Sequence, residues 1–166
     1  MSQSKFRVLV VCTGNTCRSP MAVGILKALL KEKGVDNIEV HSAGTGALEG
    51  YPATPFAIGA AKYWGVDISD HRARQIDKSL IESADLILAM SPEHVESILR
   101  KEPSAAPRTY LIKAFPIRYS ASQERVDDPI GGTLEDYNQT YLELDEVLRR
   151  IEGKIIELSN PLKRDS

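Results

Sequence analysis

Apolar and polar positions along this chain switch between two periods. Phe6-Arg7-Val8-Leu9-Val10-Val11 is a short, nearly unbroken apolar run that leads straight into Cys12, the pattern of a strand buried on both faces. Met21, Ile25, Ala28 and Leu29 then recur at helical spacing. They predict a helix from Pro20 to about Lys33 that stops at Gly34, with Ser19 as N-cap and Pro20 as first helical residue. Ile38 to Ser42 reads as a second strand, and a glycine-rich loop runs from Gly44 to Pro52. Further helices are expected from Pro55 to Trp64, ending at Gly65, and briefly from Lys78 to Ser83. Asp85 to Met90 reads as a third strand, after which Ser91-Pro92-Glu93 repeats the cap-plus-proline start of a helix that reaches about Arg100.

Thr109 to Ile112 is the expected fourth strand, and Lys113 to Gly132 a loop. Thr133 with Asp136 resembles a capping box. Behind it Leu134, Tyr137, Tyr141, Leu144, Leu148, Ile151, Ile155 and Leu158 mark the last helix, closed by Asn160 and Pro161. Strands alternating with helices imply an α/β fold: a four-stranded, parallel, doubly wound sheet flanked by helices. Residues 1–166 are expected to form a single domain, with an ordered core from about 5 to 159 and frayed ends. Ligands of such sheets bind at the carboxyl ends of the strands, which is where Cys12 stands.

Composition changes the picture mainly by exclusion. The 166 residues carry 21 Lys plus Arg against 23 Asp plus Glu, a net charge of −2. That balance points to neither nucleic acid nor a membrane surface as partner. No apolar run approaches a membrane span, and Met1 to Lys5 lacks a signal-peptide core, so the cytoplasm is expected. Cys12 and Cys17 are the two cysteines, and the three histidines stand far apart. Neither a disulfide scaffold nor a metal site is expected, and no cofactor.

The candidate chemistry lies in Cys12-Thr13-Gly14-Asn15-Thr16-Cys17-Arg18-Ser19. A strand-to-helix loop aims successive N–H groups at one point, and the helix dipole adds positive potential. Arg18 adds a planar fork that fits phosphate oxygens. Thr13 to Ser19 should therefore bind an anion above the Cys12 sulfur. The same field is expected to lower the thiol pKa, making Cys12 a thiolate nucleophile for in-line attack on phosphorus. Gly14 lets the backbone turn, Asn15 tolerates left-handed geometry and can brace the loop, and the Ser19 hydroxyl can donate to sulfur. The competing reading is a buried structural cysteine at a strand end.

A leaving group must also receive a proton, and a carboxylic acid over the site is the usual donor. Val126-Asp127-Asp128-Pro129-Ile130-Gly131-Gly132 offers two aspartates in a rigid turn. A plain surface turn explains the same residues, and they do not choose between Asp127 and Asp128.

Cys12 to Pro20 resembles the signature of the low-molecular-weight protein tyrosine phosphatases, and the likeness extends over nearly the whole chain. Ser42-Ala43-Gly44, Ile68 to Ile76 with His71, and Asp128-Pro129 resemble further family segments. The resemblance implies the phosphatase I fold and a cysteinyl-phosphate mechanism. It makes Cys12 the nucleophile, Arg18 the phosphoryl ligand and Asp128 the general acid. It gives Asn15, Ser19, Ser42 and His71 the task of supporting the loop. Cys17 becomes a thiol that forms a reversible disulfide with Cys12 on oxidation, with a small packing residue as the bland alternative. Phosphorylated proteins or peptides are the implied substrates, and phosphate or other oxyanions the implied inhibitors.

Phosphotyrosine enzymes of the family carry a branched apolar residue where Thr16 stands, and aromatic walls where this chain has Leu48, Ile130 and Gly131; Tyr51 lies near. Thr16, with the Asp128-Pro129-x-Gly131-Gly132 run, resembles instead the bacterial protein-arginine phosphatase branch. Phosphotyrosine and phosphoarginine both stand as substrates, with Thr16 tilting the reading to the second. Three rivals come from other classes. An arsenate reductase of this fold would need cysteines after Cys17, and a binding module would need neither Cys12 nor Asp128. A nucleotide-binding domain would show a glycine fingerprint after the first strand.

Overall fold

Four parallel strands stand in the order β2-β1-β3-β4 in the computed structural model, which describes residues 5–118 and 124–160. They are β1 (Phe6–Cys12), β2 (Ile38–Gly44), β3 (Leu86–Ala89) and β4 (Thr109–Leu111). The frayed ends expected from the sequence lie outside the described residues. The helices are α1 (Arg18–Glu32), α2 (Pro55–Tyr63), α3 (Lys78–Ser83), α4 (Pro92–Lys101) and α5 (Leu134–Ser159). A 3-10 turn at Pro103–Arg108, which apolar periodicity did not reveal, leads into β4.

Side-chain alternation on β1 explains the two layers. Val8, Val10 and Cys12 face one core, closed by Met21, Ile25, Leu26 and Leu29 of α1 and by Tyr141, Leu144, Leu148 and Ile151 of α5. Leu9 and Val11 face the other, closed by Ile81 of α3 and Ile98 of α4. The sheet is thus wound on both faces, as the alternating pattern predicts. α5 forms where expected because Thr133 and Asp136 make a complete capping box and one face of the helix is apolar along its length.

β1 lies between β2 and β3, so the strand order reverses beside it. The crevice at that switch point, at the carboxyl ends of the strands, begins with Cys12. In register, Cys12 sits opposite Gly44. There β2 approaches the loop after β1 so closely that a Cβ on Gly44 would lie 2.3 Å from the Thr13 carbonyl oxygen and 3.0 Å from the Asn15 nitrogen. The requirement is for an absent side chain rather than for an unusual backbone angle. Gly44→Ala should therefore cost about 1–3 kcal/mol, the usual range for an overpacked core site. Urea denaturation with an unchanged midpoint would show that the loop yields freely.

Candidate active site

Between Cys12 and Arg18 the chain closes a tight loop through Asn15, whose φ of 58° is left-handed. Asn tolerates that region better than most residues, and its side chain is fully engaged here. Nδ2 donates to Ser19 Oγ (2.7 Å) and to Ser42 Oγ (2.9 Å), and Oδ1 accepts the Arg74 N–H (2.8 Å). His71 Nε2 lies 2.6 Å from the Asn15 carbonyl oxygen. A carbonyl only accepts, so this nitrogen carries the proton. Burial lowers the His71 pKa and favours that neutral donor. The amides of Gly14, Thr16 and Cys17 take no acceptor among the described residues, the condition an anion-binding loop needs.

The Cys12 sulfur is buried, 2.9 Å from Ser19 Oγ. Ser19 accepts from Asn15, which leaves its own proton free to donate to sulfur. Burial nonetheless raises the Cys12 pKa; against it work the Ser19 hydroxyl, the Arg18 charge and the N–H groups of Ser19 and Asn15. In the free protein, burial thus works against the loop charge from which a lowered thiol pKa was expected. Loop position and charge were visible in sequence, but complete desolvation of the sulfur was not. Arg18 is also partly neutralised by Asp128, which weakens its pull. A second correction concerns Ser19. Helix α1 begins at Arg18 with Cys17 as N-cap and no side-chain capping bond, because the Ser19 hydroxyl is turned into the site. Pro20, now the third helical residue, still falls among the first four N–H positions that need no intrahelical partner.

Arg18 is buried and triply held. Nη1 donates to the Val126 carbonyl (2.9 Å), and Nη2 reaches Thr13 Oγ1 (3.3 Å) and Asp128 Oδ2 (3.4 Å). The other Asp128 oxygen accepts the Ile130 N–H (3.1 Å). Asp128, and not Asp127, joins Cys12 and Arg18 around a small cavity, also lined by Gly14, Asn15, Thr16, Cys17 and Ile130. Of the expected wall residues, Thr16 and Ile130 line this cavity, whereas Leu48 and Tyr51 do not. Bonds from Gly50 to Ala73 and from Ala73 to Tyr51 tie their loop to the following segment and leave the two side chains 62% and 56% exposed.

The family model for low molecular weight phosphotyrosine protein phosphatases matches residues 7–166. The chain belongs to that family. A protein-arginine-phosphatase of Geobacillus stearothermophilus is 38% identical, over 90% of this chain and 96% of the relative. The crystal structure of a low molecular weight protein tyrosine phosphatase from T. tengcongensis is 42% identical with a TM-score of 0.82, covering 90% of this chain and 99% of the other. A YwlE arginine phosphatase variant with a phosphorylated active-site serine is 33% identical with a TM-score of 0.84, covering 94% and 97%. The protein is a cysteine-dependent, low-molecular-weight protein phosphatase.

The phosphatase places its second thiol on the lining of the same cavity. Cys17 Sγ lies 3.4 Å from Tyr137 Oη and 3.6 Å from Thr54 Oγ1. Burial and the neighbouring Cys17 push the Tyr137 phenol up to about 12. Both cysteines are free thiols. Among the described residues no His, Cys, Asp or Glu cluster is placed to hold a metal ion, and no helix is long and apolar enough to cross a membrane.

Sequence reasoning missed His94, dismissed with the other scattered histidines. Its ring is buried in the first turn of α4, with Nδ1 2.9 Å from Ser91 Oγ and Nε2 2.8 Å from Thr13 Oγ1. The available signal was Ser91-x-x-His94 directly after β3, the strand beside β1. Ser91 is the N-cap by position, but its hydroxyl makes no capping bond and goes to His94. Burial, and then the Arg18 charge, hold the His94 ring down at about 4. A histidine lowered from its unfolded value of about 6.5 stabilises the fold fully above that value and loses the contribution as pH falls toward 4. The loss amounts to at most about 3 kcal/mol. Urea unfolding of the wild type should weaken between about pH 7 and pH 4.5 by more than that of His94→Gln; equal losses would remove His94 as the source.

Proposed function

We propose that residues 1–166 form one catalytic domain that hydrolyses phosphoarginine in proteins through a cysteinyl-phosphate on Cys12. The convergence of Cys12, Arg18 and Asp128 on one buried cavity carries this reading. As the bound phosphoryl group displaces Asp128 from Arg18, the Cys12 thiol gives up its proton and the Asp128 carboxylate takes one up; the thiolate, with Ser19 donating to its sulfur, then attacks phosphorus in line. An S–P bond forms as the P–N bond breaks, and the departing guanidino nitrogen takes its proton from Asp128. Water then attacks phosphorus and gives a proton to Asp128, the S–P bond breaks, and thiolate and phosphate are released. Arg18 and the loop amides from Thr13 to Ser19 hold the phosphoryl oxygens and the charge that builds on them. Asn15, Ser42, His71 and Ser19 keep the loop in this shape, so free phosphate and related oxyanions should compete with substrate. The phosphorylated serine in the related arginine phosphatase supports a covalent intermediate at the position of Cys12.

Thr16 and the lack of an aromatic ring among the described residues that line the cavity favour a guanidino over a phenyl leaving group, because a phenyl ring gains most from an aromatic wall. The protein-arginine-phosphatase relative supports the same choice. The likeness to a tyrosine phosphatase favours phosphotyrosine as second reading. The unpaired thiols and the lack of a basic surface balance fit a cytoplasmic enzyme acting on proteins, not on nucleic acid or membrane.

Three substitutions test the assignment. Cys12→Ser should abolish turnover, and ordinary activity there would end the mechanism. Asp128→Asn should lower kcat by roughly 10²–10⁴-fold, the range expected for general acid catalysis, with Asp127→Asn far milder. Matched phosphoarginine and phosphotyrosine peptides should show a higher kcat/KM for the first, and Thr16→Ile should shift the ratio toward the second. A ratio unmoved by that change excludes Thr16 as selector.

A further inference from the structure

Arg18 has three anchors, and two belong to the segment that carries the acid, namely the Val126 carbonyl and Asp128 itself. The third is the Thr13 hydroxyl, on the loop after β1, and it stands on His94. A guanidinium only donates, so Thr13 Oγ1 accepts from Arg18 Nη2 (3.3 Å). In the neutral tautomer assigned here to the His94 ring, the Thr13 proton turns to Nε2 (2.8 Å). His94 Nδ1 then carries the ring proton and donates to Ser91 Oγ (2.9 Å). A continuous polar chain thus runs from the guanidinium to the Ser91 hydroxyl at the head of α4.

We infer that His94 is a positioning residue for phosphoryl transfer: it holds the Thr13 hydroxyl, and through it the Arg18 guanidinium, while Asp128 leaves Arg18 to serve the departing group. The inference rests on the role proposed for Arg18. Its logic is mechanical. In the reaction Asp128 must release the guanidinium, and Val126 lies two residues from Asp128. The Thr13 contact alone is grounded outside the acid segment, on a buried ring that follows β3 directly. The charged groups that act on that ring are Arg18, Glu93, Asp128 and Arg125. A neutral ring is required, because a protonated one would donate from Nε2 and set a second cation beside Arg18.

The experiment is steady-state kinetics on a phosphoarginine peptide, and on p-nitrophenyl phosphate as a leaving-group-independent check, with wild type, His94→Phe, His94→Gln, Thr13→Val and the Phe–Val double variant. His94→Phe and Thr13→Val should each lower kcat about tenfold or more with KM changed far less, since small displacements of a transition-state group are costly. His94→Gln, whose amide oxygen can accept from Thr13, should recover to within about threefold of wild type. The double variant should be no worse than the poorer single variant, because one chain is broken only once. His94→Phe and Thr13→Val within about twofold of wild type, His94→Gln no better than His94→Phe, or a double loss equal to the product of the single losses, overturn the inference. If His94→Phe does not fold, Thr13→Val and His94→Gln decide by the same criteria. Wild-type activity abolished by Cys12→Ser but untouched by Thr13→Val and His94→Phe fails this inference alone. A wild type without phosphatase activity fails the reading of the site and this inference with it.

Discussion

The constraint on which the site depends is the left-handed turn at Asn15. A loop of five residues between a strand and a helix closes tightly enough to leave its amides unpaired only if one residue accepts that backbone state. For a residue with a Cβ the state is unfavourable, and here it is compensated by hydrogen bonds from every polar atom of the side chain. Those bonds reach α1, β2 and the segment before α3, so the loop is braced from three directions. The same amide hands a proton to Ser19 Oγ, which frees the Ser19 hydroxyl to serve the sulfur. Loop shape and nucleophile environment are therefore one network, and neither is set independently of the other.

Around this fixed network, the resting cavity contains its own counterion. Asp128 pairs with Arg18 where a phosphoryl group would sit, and the pair is sheltered on the arginine side and open on the aspartate side. A half-exposed ion pair is worth little net stability, so a phosphoryl dianion can displace it at small cost. On the proposed mechanism, the exchange moves the carboxyl group away from the guanidinium and toward the leaving atom, so that substrate binding and arming of the acid are the same event.

Much of this was legible in the chain because it depends on local chemistry. An apolar run ending in cysteine, an Asn where a turn must be left-handed, an Arg at a helix start and a Thr-x-x-Asp capping box each mean nearly the same thing in any fold. What stayed hidden depends on burial and on distant partners. Ser19 and Ser91 both look like N-caps, and both turn their hydroxyls to a functional neighbour instead, which only the tertiary structure reveals. The Cys12 pKa needed the degree of desolvation as well as the charges. His94 was invisible because β3 comes to lie beside β1 only through the sheet order, which a scan for local spacing does not contain.

The sheet order also separates the residues proposed to bind the phosphoryl group from those proposed to choose the substrate. Cys12 ends β1, Thr13 and Asn15 follow it, Ser42 belongs to β2, and His94 follows β3, so the proposed anion-binding half of the site is bolted to three adjacent strands. Asp128 and Ile130 belong to the loop before α5, which is tied to that half through Arg18 and the Val126–Met90 backbone bond. Strand ends tolerate little change without losing the core, whereas a loop with few ties can be rebuilt. Thr16 lies at the seam, on the fixed loop but facing the cavity that Ile130 closes. On the proposed reading, a change of leaving group from phenol to guanidine calls for alterations at the seam and in the loop of Asp128, and leaves the Cys12, Asn15 and Arg18 geometry untouched.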